Sequence, residues 1–303
     1  MREKLLLSGI AIIASCTLSS CTFEEVLSYE PTVPTDKTEV RFSSQILKQT
    51  PSSSRINGNV WEPGDAIGIY MLEGENQAIS EGKVNVRYTT EHGGHTANFV
   101  AKDNTIYFPD DGRKVRFMSY YPYSAQTSNS IYKVDVSNQI PQSKIDLLYS
   151  FDTSSTYDKN IVSRRVPIAF SHQLTKIYIN VKNGEGLQGH DLAHIKVSIS
   201  GLSTKADFNL LTGKLSNLTG TNPISPSVLI AEGGNVYSSE AIVIPGANIS
   251  KAKITFNLKN GTVHTWNFDK VLEKGKKYTY NVTISRTGIV VDSKTHEWYN
   301  IGI

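Results

Sequence analysis

The sequence is poor in cysteine. Its two thiols, Cys16 and Cys21, both fall within the first 21 residues of a 303-residue chain. Nothing after Cys21 can form a disulfide, a zinc–thiolate site or a cysteine nucleophile. Long apolar runs are missing too. Beyond residues 5–18 (LLLSGIAIIASCTL) no stretch approaches the about 20 apolar residues of a spanning helix. Charge is nearly balanced, with 31 Lys and Arg against 28 Asp and Glu. A nucleic-acid partner calls for a basic domain with clustered Lys and Arg, and none is expected here. The chain has no G-x-S-x-G elbow, H-E-x-x-H pair or phosphate loop. No catalytic residue, metal or cofactor is nominated. A carboxylate pair assembled by the fold stays open, but no pair is marked in the sequence.

What is present begins at residue 1. Arg2 and Lys4 form a short positive region, residues 5–18 an apolar one, and Leu18-Ser19-Ser20-Cys21 a small-residue cleavage site. That is the layout of a signal peptide over residues 1–20. The ending resembles a bacterial lipobox, which implies cleavage after Ser20 and lipidation of Cys21. Several acyl chains hold a protein stably on a membrane, at about 0.8 kcal/mol per buried CH₂. Arg2, Glu3 and Lys4 leave with the signal, so the net charge moves from +3 to +2. Residues 21–37 are polar, contain proline and lack periodicity. They read as a tether, with Glu24 and Glu25 just past the lipid site.

The rest of the chain alternates short apolar runs with turn chemistry. Tyr is frequent (15) and Met rare (3), a bias that suits strands. Val40, Phe42 and Ile46 follow a period of two. Ala66–Leu72 (AIGIYML) is nearly continuous in apolar residues, as in a strand buried on both faces. Pro109-Asp110-Asp111-Gly112 predicts a hairpin between Ile106–Phe108 and Val115–Tyr121. Asn260-Gly261 predicts a type I′ hairpin between Lys253–Lys259 and Thr262–Phe268. Ile177, Ile179 and Val181 alternate, as do Tyr278, Tyr280, Val282 and Ile284. No stretch keeps a 3.6-residue apolar period over three turns. The expected fold class is therefore all-β, as two tandem β-sandwich domains over residues 38–160 and 161–303. The break falls in the polar segment Ser154–Arg165.

Six segments, in order, resemble the fimbrillin family of Bacteroidetes pilus subunits. They are Val60-Trp61-Glu62-Pro63-Gly64-Asp65 with Ile67–Tyr70, Phe117–Tyr123 (FMSYYPY), Gln139 with Ile145–Ser150 (IDLLYS), Phe170–Ile177 (FSHQLTKI), Leu272–Tyr280 (LEKGKKYTY), and Trp298. The resemblance implies transthyretin-like sandwiches and a subunit exported to the outer membrane as a lipoprotein. It also implies cleavage by an arginine-specific protease, and loss of the first strand, here about Thr38–Leu47. A neighbouring subunit's C-terminal segment then fills the groove. Two arginines are candidate cleavage sites: Arg41, inside the alternating strand, and Arg55, in a Ser-rich loop where access is easier. The candidate donor is the C-terminal stretch 288–303, with Ile289, Val290, Val291, Trp298, Ile301 and Ile303. It reads equally as a last strand that stays in its own domain.

Other constellations carry simpler expectations. His92-Gly93-Gly94-His95 reads as a polar loop, and His172 as a packed histidine bonded to backbone. Asp65 should satisfy N–H groups of its own turn. Trp61, Trp266 and Trp298 could form a platform for a polysaccharide, although such aromatics usually pack across strands. A polysaccharide-binding surface lipoprotein, and an uncleaved tip or anchor adhesin with a host or bacterial surface ligand, are the alternatives to a polymerising subunit.

Overall fold

The structure, a computed structural model, describes residues 37–46, 60–163, 165–229, 236–246, 250–268, 270–298 and 301–302. Ser20, Cys21, Arg55 and Ile303 lie outside the described residues. In chain order the first strands are β1 (Arg41–Ile46), β2 (Ala66–Glu73), β3 (Val86–Thr90), β4 (Thr96–Val100), β5 (Val115–Tyr121), β6 (Ile131–Asp135), β7 (Leu148–Phe151), β8 (Arg165–Ile168), β9 (Ser171–His172) and β10 (Thr175–Asn183). They are followed by β11 (Lys196–Ser200), β12 (Lys205–Asn209), β13 (Lys214–Thr219), β14 (Ser227–Leu229), β15 (Val236–Val243), β16 (Lys253–Asn257), β17 (Val263–Asn267), β18 (Lys276–Ser285), β19 (Gly288–Glu297) and β20 (Ile301–Gly302). Among the described residues the helices are two short 3₁₀ turns, so the fold is all-β as expected. None of them is long and apolar enough to cross a membrane.

Four sheets form. The largest runs β20-β1-β4-β3-β2-β5-β7-β9, with β8 added beside β1. The second runs β14-β15-β10-β18-β19, and the smaller two are β11-β16-β17 and β13-β12-β6. Residues Lys37–Ile303 form one compact unit. Strands from both sides of residue 160 share sheets: β8 pairs with β1, β9 with β7, and β12 with β6.

Two apolar cores lie against opposite faces of the largest sheet. Ile67, Ile69 and Met71 of β2 join one core, Tyr70 and Leu72 the other. β5 divides likewise, with Val115 and Phe117 on one side and Met118 and Tyr120 on the other. This is why Ala66–Leu72 has no polar alternation: both of its faces are buried. The second core is completed by Ile177, Ile179 and Val181 of β10 and by Tyr278, Tyr280, Val282 and Ile284 of β18. β10 and β18 run parallel in register Ile177↔Tyr278, so the alternation seen in each becomes one continuous apolar layer.

Two turns differ from expectation. Pro109–Gly112 does turn, with the Gly112 N–H donating to Pro109 O at 3.1 Å and φ of +75° at Gly112. It does not join a hairpin. Residues 106–108 pair with residues 38–40, while β5 pairs with β2 and β7. At Asn260-Gly261 only Gly261 has positive φ (+87°), so the turn is not type I′. The register Asn257↔Val263 and the Leu258 N–H bond to Thr262 O leave a three-residue loop. In such a loop only the final residue needs the left-handed region. Asn260 instead accepts the Thr262 N–H through its side chain at 2.9 Å.

Candidate functional site: the β1 slot and the motif junction

β1 sits between neighbours on both sides. Its Phe42–Gln45 segment pairs antiparallel with Phe99–Thr96 of β4. On the other side Arg41–Ser44 pairs parallel with Arg165–Ile168 of β8, and Gln45 and Ile46 pair with Gly302 and Ile301 of β20. Val40 and Phe42 are fully buried. The Phe42 ring meets Tyr88 edge-on at 4.9 Å and Phe117 at 5.0 Å. Burying two such side chains contributes about 2 kcal/mol each. The Tyr88 hydroxyl donates to Val40 O at 3.2 Å and accepts the Ile106 N–H at 3.1 Å. Burial pushes the Tyr88 phenol well above its ordinary range, so it stays a neutral donor. A slot of this kind recognises an extended chain. Ladder bonds on both edges supply affinity, and the pockets of Val40 and Phe42 fix register.

Arg41 opens β1. Its side chain is exposed and bonds the Glu39 carboxylate at 3.1 Å. Its backbone lies in the ladder opposite Arg165. Of the donor residues, Ile289, Val290 and Val291 lie in β19, which pairs with β18 along its whole length. Ile289 and Val291 pack on the second core, while Val290 is 71% exposed. Ile301 pairs with Ile46 of β1.

The motif residues gather in two places. In the first core, Trp61 pairs its backbone with Gly94 in both directions (2.9 and 2.8 Å). A Cβ on Gly93 would come within 2.6 Å of Trp61 O, so this close approach requires glycine. The Trp61 ring packs edge-on against Phe99, Tyr121 and Phe170. Asp65 accepts the Glu62 N–H at 2.8 Å, as its turn position predicts, and the Tyr121 hydroxyl at 3.0 Å.

The second place joins five segments. The Gln139 side chain behaves like a short strand: its amide donates to Ile242 O at 2.9 Å and its oxygen accepts the Ile242 N–H at 2.8 Å. The sequence predicts a His172 ring bonded to backbone; its Nδ1 instead lies 2.8 Å from the Asp146 carboxylate. Its other neighbour is Trp298, stacked at 3.8 Å and 10°. The Trp298 backbone N–H donates to Gly275 O at 2.7 Å. The Lys176 ammonium lies 5.7 Å from the Trp298 ring centre and pairs with the Glu240 carboxylate at 3.0 Å. Among the described residues no group of three or more ligating side chains could hold a metal. The tryptophan platform does not form. Trp61 and Trp298 are buried, and Trp266 packs on the second core beside Phe268 and Tyr280.

A family model described as fimbrillin-like matches residues 54–298. The chain belongs to this family. Fim1C of Bacteroides uniformis, a candidate fimbrium subunit by name, is 33% identical over 298 residues, covering 95% of this chain and 93% of that protein. The crystal structure of a candidate cell adhesion protein from Bacteroides uniformis is 34% identical. It superposes with a TM-score of 0.73 over 88% of this chain and 100% of its own. A candidate cell adhesion protein from Bacteroides ovatus shares the fold at 19% identity, with a TM-score of 0.66 over 87% of this chain and 98% of its own. Within a fimbrillin-like chain, the first matched motif lies just past β1, and the last matched residue is the buried Trp298.

Sequence reasoning missed the two-sided seating of β1. The alternation of Val166 and Ile168 across Pro167 could have marked β8, but its parallel pairing with a strand over a hundred residues earlier has no local signature.

Proposed function

We propose that this protein is a structural subunit of a cell-surface fimbria acting in adhesion, and not an enzyme. It is exported as a lipoprotein anchored at Cys21 in the outer membrane. An arginine-specific protease cuts after Arg55, β1 leaves, and a C-terminal segment of a neighbouring subunit fills the slot. The observation that carries the reading is β1 itself. It is the first strand among the described residues, paired on both sides, and its Phe42 and the adjoining Val40 fill apolar pockets. Removing it would leave two unpaired ladders and an open core, which only another strand can satisfy. Arg55 is preferred to Arg41 because the Arg41 backbone is held in the ladder.

The test is limited proteolysis of protein starting at residue 22 with an arginine-specific protease. Intact mass locates the cut, and size-exclusion chromatography follows assembly. One cut after Arg55, loss of the N-terminal peptide and growth of oligomers are expected. A cut that leaves a stable monomer with β1 retained would overturn polymerisation by this route and assign an uncleaved anchor or tip role.

A further inference from the structure

The outward face of the β15-β10-β18-β19 sheet carries a pattern that strand exchange does not use. Register places Ser238, Asn180, Asn281 and Asp292 in one row across the four strands. Ser238 Oγ donates to Asn180 Oδ1 at 2.7 Å, and Asn180 Nδ2 donates to Asn281 Oδ1 at 3.0 Å. The next row holds Glu240, Tyr178, Thr279 and Lys294, and the row on the other side Val236, Lys182, Thr283 and Val290. The Ser238, Asn180, Asn281, Tyr178, Thr279 and Thr283 side chains are hydroxyl and amide groups that both donate and accept.

Charge on this face is unbalanced. Glu240 is taken by Lys176 at 3.0 Å. Lys182, Lys277 and Lys294 make no ion pair among the described residues, and Asp292 is the carboxylate that remains. Lys277 is the unusual one. It is half-buried, its ammonium lies 4.9 Å from the centre of the Tyr178 ring, and it stands beside Lys176 in register. Burial holds its pKa below the ordinary lysine value, and the Lys176 charge lowers it further, partly offset by Glu240. A half-buried ammonium with a like charge next to it is a position that an anion stabilises.

We propose that this face binds an acidic polysaccharide, its carboxylates or sulfates held by Lys277, Lys182 and Lys294 and its hydroxyls by the Ser238–Asn180–Asn281 row. Lys277 and the row of Lys182 and Thr283 are six residues apart along β18, roughly 20 Å at 3.3 Å per residue. Such spacing suits an extended chain with recurring charges and hydroxyls between them. A peptide would instead need a strand edge or apolar pockets for alternate side chains, and the rows between these lysines hold hydroxyls and amides. This proposal does not rest on strand exchange.

The experiment is native affinity electrophoresis of the full-length protein in detergent, in gels containing polygalacturonate, dextran sulfate, neutral dextran or poly-glutamate. Retardation by at least one acidic glycan, weakening as salt rises, is expected, with none by dextran. Polygalacturonate and dextran sulfate separate carboxylate from sulfate recognition. The variant Lys182→Gln/Lys277→Gln/Lys294→Gln should lose at least tenfold in affinity, and Lys277→Arg should retain binding. Should the triple variant not fold, the exposed pair Lys182→Gln/Lys294→Gln should still lose about threefold. Absence of retardation by both acidic glycans would overturn the proposal. So would undiminished binding by the lysine variants, or retardation by poly-glutamate as strong as by the glycans.

Discussion

β1 and β19 stand near opposite ends of the chain, in different sheets that treat them in opposite ways. β1 has partners along both edges and buries Val40 and Phe42 completely. Among the described residues β19 is paired on one edge only, to β18, and turns Val290, Asp292, Lys294 and His296 outward. Open strand edges invite pairing with other chains, and charged side chains are a common way to blunt them. β19 has that protection. β1 has none, because it has no free edge while it stays seated. On the proposed strand-exchange reading, pairing with a second chain is offered by the pockets under β1 and discouraged along the charged outer side of β19.

The largest expected effect that tests this contrast is in the slot. Phe42→Ala removes a fully buried ring from between Tyr88 and Phe117 and should destabilise by about 4 kcal/mol in denaturant unfolding. Trp298→Ala removes the stack on His172 just past β19 and should cost about 3 kcal/mol by the same measurement. A smaller loss of about 2–3 kcal/mol is expected from Glu240→Gln, which leaves the Lys176 ammonium without its carboxylate in a largely buried site. Val290→Thr on β19 should stay within about 0.5 kcal/mol. A Val290 effect as large as that of Phe42 would break the comparison.

The smallest effect lies away from both strands. Hydrogen bonds from the Ser154 and Ser155 hydroxyls hold the Asp152 carboxyl down to about 2. A depressed folded-state pKa gives stability that is present above the ordinary aspartate value and lost as pH falls through about 2. Ser154→Ala/Ser155→Ala should move the Asp152 titration upward, read by NMR of its carboxyl carbon, with a small, solvent-screened loss of stability at neutral pH that disappears as the pH falls through about 2.

Much of this was legible because strands advertise themselves through side-chain period. The alternation of Ile177, Ile179 and Val181 and the unbroken apolar run at Ala66–Leu72 state how many faces each strand buries. Turn position was legible at Pro109–Gly112, but not what the turn connects. Period says nothing about partners: β1 meets β8, and β6 meets β12, across long stretches of chain. The motif residues were legible as a resemblance, yet their meeting was not. Nothing in the spacing of Asp146, His172 and Trp298 announces that a carboxylate, an imidazole and an indole share one contact. The lysine face was hidden for the same reason, since Lys182, Lys277 and Lys294 come together only through the registers of β10, β18 and β19.

The parallel pairing of β10 with β18 has a consequence in time. Asn180 and Asn281, bonded side chain to side chain, are separated by 101 positions in the chain. A polypeptide emerging N-terminus first through a narrow pore presents β10 long before its partner exists on the far side. The second core therefore cannot close until most of the chain has been delivered. Contacts between distant segments form slowly, so the same topology that seals the finished protein keeps the arriving one open and threadable.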